Sequence, residues 1–162
     1  CKKRRKNCSL TAGISPDIYI LISNLKKMVN IVGKYQHERN ENIDEYFKSL
    51  GVPYLARKMM AVSHPTLEIT REGDKWTIKN VTLMSTQVVT FTLGTEYEEV
   101  MPSGDKLRSV TILEGDTLTV TSRTNDENKV VRRYEFTEDE VILTMTQEKS
   151  EQVARRFYKR LA

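Results

Sequence analysis

The chain has 162 residues, a formal charge of +4 and two cysteines. That length suits one domain, able to bury about two-thirds of its unfolded surface without disulfides or metal. The basic surplus lies in residues 1–27; the rest carries 19 of the 26 Lys and Arg against 21 of the 22 Asp and Glu, a net of −2, which speaks against a general phosphate-binding surface. Both cysteines, Cys1 and Cys8, sit in the same basic segment, and a stable body without disulfides fits a reducing compartment. No stretch approaches the roughly 20 apolar residues of a membrane-spanning helix, and "IYILI" is too short for the apolar core of a signal peptide.

Residues 1–27 show neither a sustained helical period nor strand alternation, and Met28 then opens "MVNIVGKYQ" like an ordinary protein start. They are expected to be an N-terminal extension, disordered or a non-native leader. Their "KKRRK" has a sharper reading as a nuclear-import or anionic-lipid segment. Residues 28–162 are expected to form the folded domain. A first strand near Val32–Arg39 leads into "NENIDEYFKSLG", where Ile43, Tyr46, Phe47 and Leu50 recur at helical spacing, with Asn40 or Asn42 able to cap and Gly51 to stop the helix. A second helix, "VPYLARKMMAVSHP", begins at Pro53 and ends before Pro65. Leu55, Met59 and Val62 fall on one of its sides, and Arg57 and Lys58 are left largely facing solvent.

Beyond Pro65 the period becomes two. Short β-rich runs alternate with turns at Gly73, Gly94, Gly104, Gly115, Asn125–Asn128 and Glu138–Asp139, and the last run is "EQVARRFYKR". With the first strand this makes ten, and connections so short force neighbouring strands to run antiparallel. A ten-stranded meander hides its edges most simply by closing into a barrel. A barrel wider than about eight strands encloses a cavity. Thr and Ser on both alternating faces, as in "TLTVTS", suit a surface wet outside and partly wet inside. Two helices inserted after the first strand would cap one end, and a capped cavity implies a small ligand. The fold class expected is therefore all-β, a ten-stranded antiparallel up-and-down barrel with a two-helix lid.

"GKYQHERNENIDEYFKSLGVPYLARKM", the His64-Pro65-Thr66 after it, "FTLGTEYEE" and the closing "RRFYKR", in this order and spacing, resemble the cytosolic fatty-acid-binding proteins, the intracellular lipid-binding family that includes the cellular retinoid carriers. The resemblance runs from about Ile31 to the C-terminus. It implies a clam-like, calycin-type barrel carrying a long-chain fatty acid or similar hydrophobic carboxylate, in a cytoplasmic monomer with the nucleus as a further compartment. It implies no enzymatic activity, no cofactor and no metal. It also implies an Arg-x-Tyr pair on the last strand and an arginine on the eighth that hold the carboxylate. The pair carries over as Arg156 and Tyr158. On the eighth strand one count lands on Arg133 and the other on Tyr134, with Arg132 the substitute in the second case. Met84 stands in the turn after the third strand where the family has an aromatic, and His37 and Ile43 also depart from its pattern.

Strand alternation turns Arg156 and Tyr158 to one face and Arg155 and Phe157 to the other. A guanidinium inside a cavity keeps its proton and needs an anion or ordered water, and a carboxylate matches its fork. Tyr46, Phe47, Met60 and Met84 are candidates for contact with the ligand's tail, as well as for plain core packing. Arg57 and Lys58 are candidates for transient contact with anionic membranes. Acid pairs such as Glu98–Glu99 read most simply as solvated. His37 and His64 are the only histidines and lack the spacing of a metal site. Two other readings stand beside the fatty-acid carrier: a retinoid or other hydrophobic-carboxylate carrier of the same fold, and a nucleic-acid-binding module using the basic segments, against which the −2 balance of residues 28–162 weighs.

Overall fold

The computed structural model describes Ser15, Asp17 and residues 27–101 and 104–162. The expectation for the N-terminal extension therefore falls almost wholly outside the described residues. Ten strands follow in chain order: β1 (Gly33–Glu41), β2 (Thr66–Glu72), β3 (Lys75–Val81), β4 (Thr86–Thr92), β5 (Tyr97–Val100), β6 (Lys106–Glu114), β7 (Thr117–Arg123), β8 (Lys129–Phe136), β9 (Glu140–Gln147) and β10 (Ser150–Arg160). Two helices, α1 (Ile43–Ser49) and α2 (Tyr54–Val62), lie between β1 and β2.

The strands form one sheet in the order β4-β3-β2-β1-β10-β9-β8-β7-β6-β5. Every described neighbour pair is antiparallel. The hairpins are sharp because Gly73 and Gly115 supply positive φ, 63° and 59°, where a side chain would be strained. β1 pairs with both β2 and β10, which closes the barrel on that side. The two ends of the sheet, β4 and β5, share no ladder. Near their connecting turn the rings of Phe91 and Tyr97 stack at 5.2 Å and fill the interval. Toward the helical end it stays open, so the barrel is nearly closed.

Strand alternation sends one set of side chains inward. Tyr35, Leu67, Ile69, Trp76, Leu118, Phe136 and Val141 make the buried base of the barrel, and the Tyr35 hydroxyl donates to the Ile31 carbonyl at 2.8 Å. The helices cover the other end. In α1, Ile43 and Tyr46 are buried, and Asp44 and Glu45 in its first turn suit the positive end of the helix dipole. Asn42 occupies the cap position with φ 52° but makes no side-chain cap bond. Its amide instead donates to Gln152 Oε1 and the Val153 carbonyl, both at 2.9 Å, tying the corner after β1 to β10.

The second helix departs from expectation in two ways. Arg57 does not face solvent: its side chain is 11 % exposed, 3.1 Å from Asp44 Oδ1 on α1, and its Nη1 donates to the Val52 carbonyl at 2.8 Å. A guanidinium reaches two acceptors at once, and that draws it into the joint between the helices. The apolar side goes the other way. Leu55 is 71 % exposed, and Met59 and Val62 are exposed as well, because α2 buries none of its residues. Helical spacing marks an apolar side but does not say that anything covers it.

Candidate ligand-binding site

The inner wall carries two polar centres. The first is on β10. Arg156 and Tyr158 both point inward, opposite Leu143 and Val141 of β9. Tyr158 is buried and meets the ring of His37 edge-on at 5.5 Å. Arg156 Nη2 donates to the Met60 carbonyl of α2 at 3.2 Å, so the inward side chain also holds the lid. Its Nε is buried with no hydrogen-bond partner. An orphaned charged donor in a protein interior is costly, and an arriving anion would satisfy it. Burial raises the pKa of Tyr158, with the charge and hydrogen bond of Arg156 partly offsetting the rise, so its phenol remains a donor at neutral pH. The outer half of the same stretch is solvated: Arg155 lies 3.7 Å from Glu41, and Arg39 covers the ring of Phe157 at 3.5 Å.

The second centre spans β5, β7 and β8. Arg132 Nη2 donates to Glu99 Oε1 and, at 3.1 Å, to Ser122 Oγ. Glu99 is only 5 % exposed. Ser122 Oγ in turn lies 2.8 Å from Ser109 Oγ, and the Tyr97 hydroxyl is 2.7 Å from Thr111 Oγ1. Burial opposes the charge of Arg132, but Glu99 and the neighbouring tyrosines more than compensate and raise its pKa. Burial pushes the Tyr134 phenol up to about 12, with Arg132 pulling against the shift. Tyr97 is also pushed up to about 12 by burial. These phenols therefore stay protonated and can donate.

The eighth strand resolves in favour of one register. Arg133 points outward, 56 % exposed and 3.4 Å from Glu135, which corrects its candidacy for the lumen. Its neighbours on either side, Arg132 and Tyr134, face Val120 and Leu118 of the inner wall. The period of two allows no other outcome once Phe136 is buried. Glu99 is the opposite correction. Read as solvated beside Glu98, it lies inside, whereas Glu98 is outside and 2.9 Å from Lys106. Alternation along Tyr97-Glu98-Glu99 carried that signal.

The remaining candidates divide. Tyr46 is in the core under α1, its hydroxyl donating to the Thr146 carbonyl at 3.2 Å, with Phe47 edge-on against it at 5.3 Å. Met60 is half-buried and offers its carbonyl to Arg156. Met84 is 82 % exposed at the tip of the β3–β4 turn, beside the still more exposed Leu83. It does not line the cavity of the barrel, and its turn closes on itself, with Met84 N and Ser85 N donating to Thr82 Oγ1. A cavity of about 350 Å³ lies beneath the open part of the β4–β5 interval, with Gln87 and Val89 on one flank, Tyr97 and Glu99 on the other and Arg132 and Tyr134 across from them. That is within the usual range for small-molecule sites.

A histidine pair, absent from the sequence-level site, sits where β1 meets the end of α2. His37 Nε2 is 2.7 Å from Asn40 Oδ1, and His37 Nδ1 is 3.2 Å from His64 Nδ1. Asn40 Oδ1 can only accept, so His37 carries its proton on Nε2 and accepts at Nδ1 from His64. The His37 pKa is lowered, by burial first, with Arg156 and His64 adding to the effect and Asn40 opposing it. The folded value thus lies below the unfolded one of about 6.5. Stability is complete above that value and is lost as pH falls through the folded pKa, because the unfolded chain takes up the proton first. Thermal unfolding between about pH 7.5 and 5 should show this loss, with a shallower pH slope for His37→Gln. Equal slopes for the two proteins would refute the assignment.

A nearly closed antiparallel barrel with a helical lid and a polar-lined interior defines the class: a β-barrel with a cavity of small-molecule size. A family model described as the lipocalin / cytosolic fatty-acid binding protein family matches residues 32–160, and the chain belongs to that family. It is 34% identical over 133 residues to a fatty acid-binding protein of Tyrophagus putrescentiae, covering 82% of this chain and 99% of that one. A solved fatty acid-binding protein from brain tissue of Drosophila melanogaster is 35% identical and superimposes with a TM-score of 0.74 over 80% of this chain and 99% of its own. The Schistosoma mansoni fatty acid binding protein, solved in complex with arachidonic acid, is 28% identical with a TM-score of 0.77 over 85% of this chain and 100% of its own.

Proposed function

We propose that the protein is a non-enzymatic carrier of long-chain fatty acids in the cytoplasm, holding the carboxylate at Arg156 and Tyr158 and the tail in the barrel. The observation that carries this reading is the inward Arg156, whose buried Nε lacks a partner beside the protonated Tyr158. Relatives named for fatty acid binding support it. Burying a tail of about 16 carbons is worth on the order of 12 kcal/mol gross. Charge-assisted bonds add roughly 1.5–3 kcal/mol each, and association costs remove several. The tail therefore sets affinity, and the arginine sets orientation and headgroup preference. Displacement of a fluorescent lipid probe by oleate tests the reading; retinoic acid displacing the probe better than any fatty acid would favour a retinoid carrier instead.

The exposed side of α2 and the β3–β4 turn extend the proposal to ligand transfer. Leu55, Met59, Val62, Leu83 and Met84 are all exposed at the helical end, and Lys58, 45% exposed, adds a positive charge beside them. Asp44 pairs with both cations, 3.1 Å from Arg57 and 3.2 Å from Lys58, but Arg57 is 11 % exposed and also held by the Val52 carbonyl, so Lys58 is the more accessible cation for a membrane. Transfer of a fluorescent fatty acid to anionic vesicles should slow several-fold in Lys58→Glu and stay the same toward neutral vesicles. An equal rate on both vesicle types for both proteins would exclude this contact.

A further inference from the structure

Arg132 is not free to receive an anion. Glu99 already neutralises it, Ser122 shares the same Nη2, and Arg132 and Glu99 line the cavity beneath the β4–β5 interval. A carboxylate arriving there would be set against the Glu99 charge. An unsubstituted hydrocarbon chain would lie beside a buried ion pair and satisfy none of its remaining hydrogen-bonding capacity. The group that fits is a neutral one that both accepts and donates, taking an N–H of Arg132 and giving a proton to Glu99. An alcohol does this; a ketone only accepts, and a second carboxylate repels.

Two further features surround the pair with the same chemistry. Ser109 and Ser122, and Tyr97 and Thr111, are hydroxyl pairs at 2.8 and 2.7 Å on the adjoining inner wall. Tyr134 bridges the two centres: it and Arg156 both stand opposite Leu143. Their backbones are thus two strand spacings, about 10 Å, apart, with Arg132 one inward step of about 7 Å further along β8. A ligand anchored by its carboxylate at Arg156 would run past Tyr134 and bring a mid-chain carbon to Arg132.

We propose that the Arg132–Glu99 pair is a second recognition point and that the ligand class is a long-chain fatty acid bearing a hydroxyl group along its chain. This rests on the reading of Arg156 and Tyr158 as the carboxylate site. Probe displacement on the full chain tests it with stearate, a series of monohydroxystearates whose hydroxyl moves along the chain, and the branched dicarboxylate in which stearate carries a second carboxyl group at mid-chain. One position in the series should bind about tenfold tighter than stearate, the others no better than stearate, and the dicarboxylate weakest of all. A series in which no position exceeds stearate, or in which the dicarboxylate wins, overturns the proposal.

The double replacement Arg132→Met with Glu99→Leu removes both charges together and should bring the hydroxyl-to-plain affinity ratio to within about twofold of one. A ratio that survives it overturns the proposal, and if that variant shows no cooperative melt the wild-type series decides alone. Arg156→Ala separates the two readings. Equal affinity loss for every ligand supports the carboxylate anchor. No loss refutes that anchor, while the positional series still reports on the hydroxyl.

Discussion

Arg156→Ala should weaken oleate binding by about 10- to 100-fold, the cost of one or two charge-assisted hydrogen bonds. The residue is half-buried and its Nε has no hydrogen-bond partner among the described residues, so on the proposed reading a bound carboxylate would relieve a standing cost as well as form a new contact. Arg156→Lys should fall between, because an ammonium is a point charge without the planar fork. The same guanidinium holds the Met60 carbonyl at 3.2 Å, and alanine will also loosen the lid. Oleyl alcohol distinguishes the two effects: its affinity follows the lid alone and should change by no more than a few-fold. Oleate bound as tightly by Arg156→Ala as by the wild type would mean that the carboxylate rests elsewhere. Probe displacement across the variants and the two ligands measures all of this.

Arg132→Ala should be the most damaging single change to the barrel's stability, by about 3–5 kcal/mol. It leaves Glu99, 5 % exposed, as a buried carboxylate without its cation. For a domain of this size that corresponds to a fall in Tm of roughly 10 °C. Arg133→Ala, one residue along, removes only an exposed pair with Glu135 and should leave Tm nearly unchanged. The comparison is sharp because the two arginines are adjacent in sequence and opposite in space. A thermal melt of each variant near neutral pH decides it: similar losses, or a larger one for Arg133→Ala, would contradict the register that turns Arg132 inward. Raising acidity should rescue Arg132→Ala in part, since a protonated Glu99 no longer carries a stranded charge.

Most of the architecture was legible in the chain because strand alternation and turn chemistry are local. The glycine turns, the period-two runs and the absence of long connections leave few alternatives to an antiparallel meander, and ten strands need to hide their edges. Alternation likewise separates Arg156 and Tyr158 from Arg155 and Phe157 on β10, while the choice of Arg156 and Tyr158 as the inward face came from the family resemblance. Two kinds of information were not local. The parity of β8 depends on how many residues the preceding loop uses, and a shift of one residue exchanges Arg133 for Arg132 and Tyr134. The coverage of α2 depends on what packs against it, so its apolar side could be recognised but not assigned to core or surface.

By itself, the sequence determined the fold class, the order and direction of the strands and the helical lid, and it placed Arg156 and Tyr158 on one face of the last strand. Each of these follows from periodicities within about ten residues. Only the tertiary structure decided that Arg132 is matched by Glu99 across the barrel, that the interval between β4 and β5 stays open above Phe91 and Tyr97, and that Arg57 joins the two helices while Leu55 and Met84 face outward. Glu99 and Arg132 are 33 residues apart. Their meeting comes from the closure of the sheet, which brings the inner faces of non-neighbouring strands together and which no local spacing encodes.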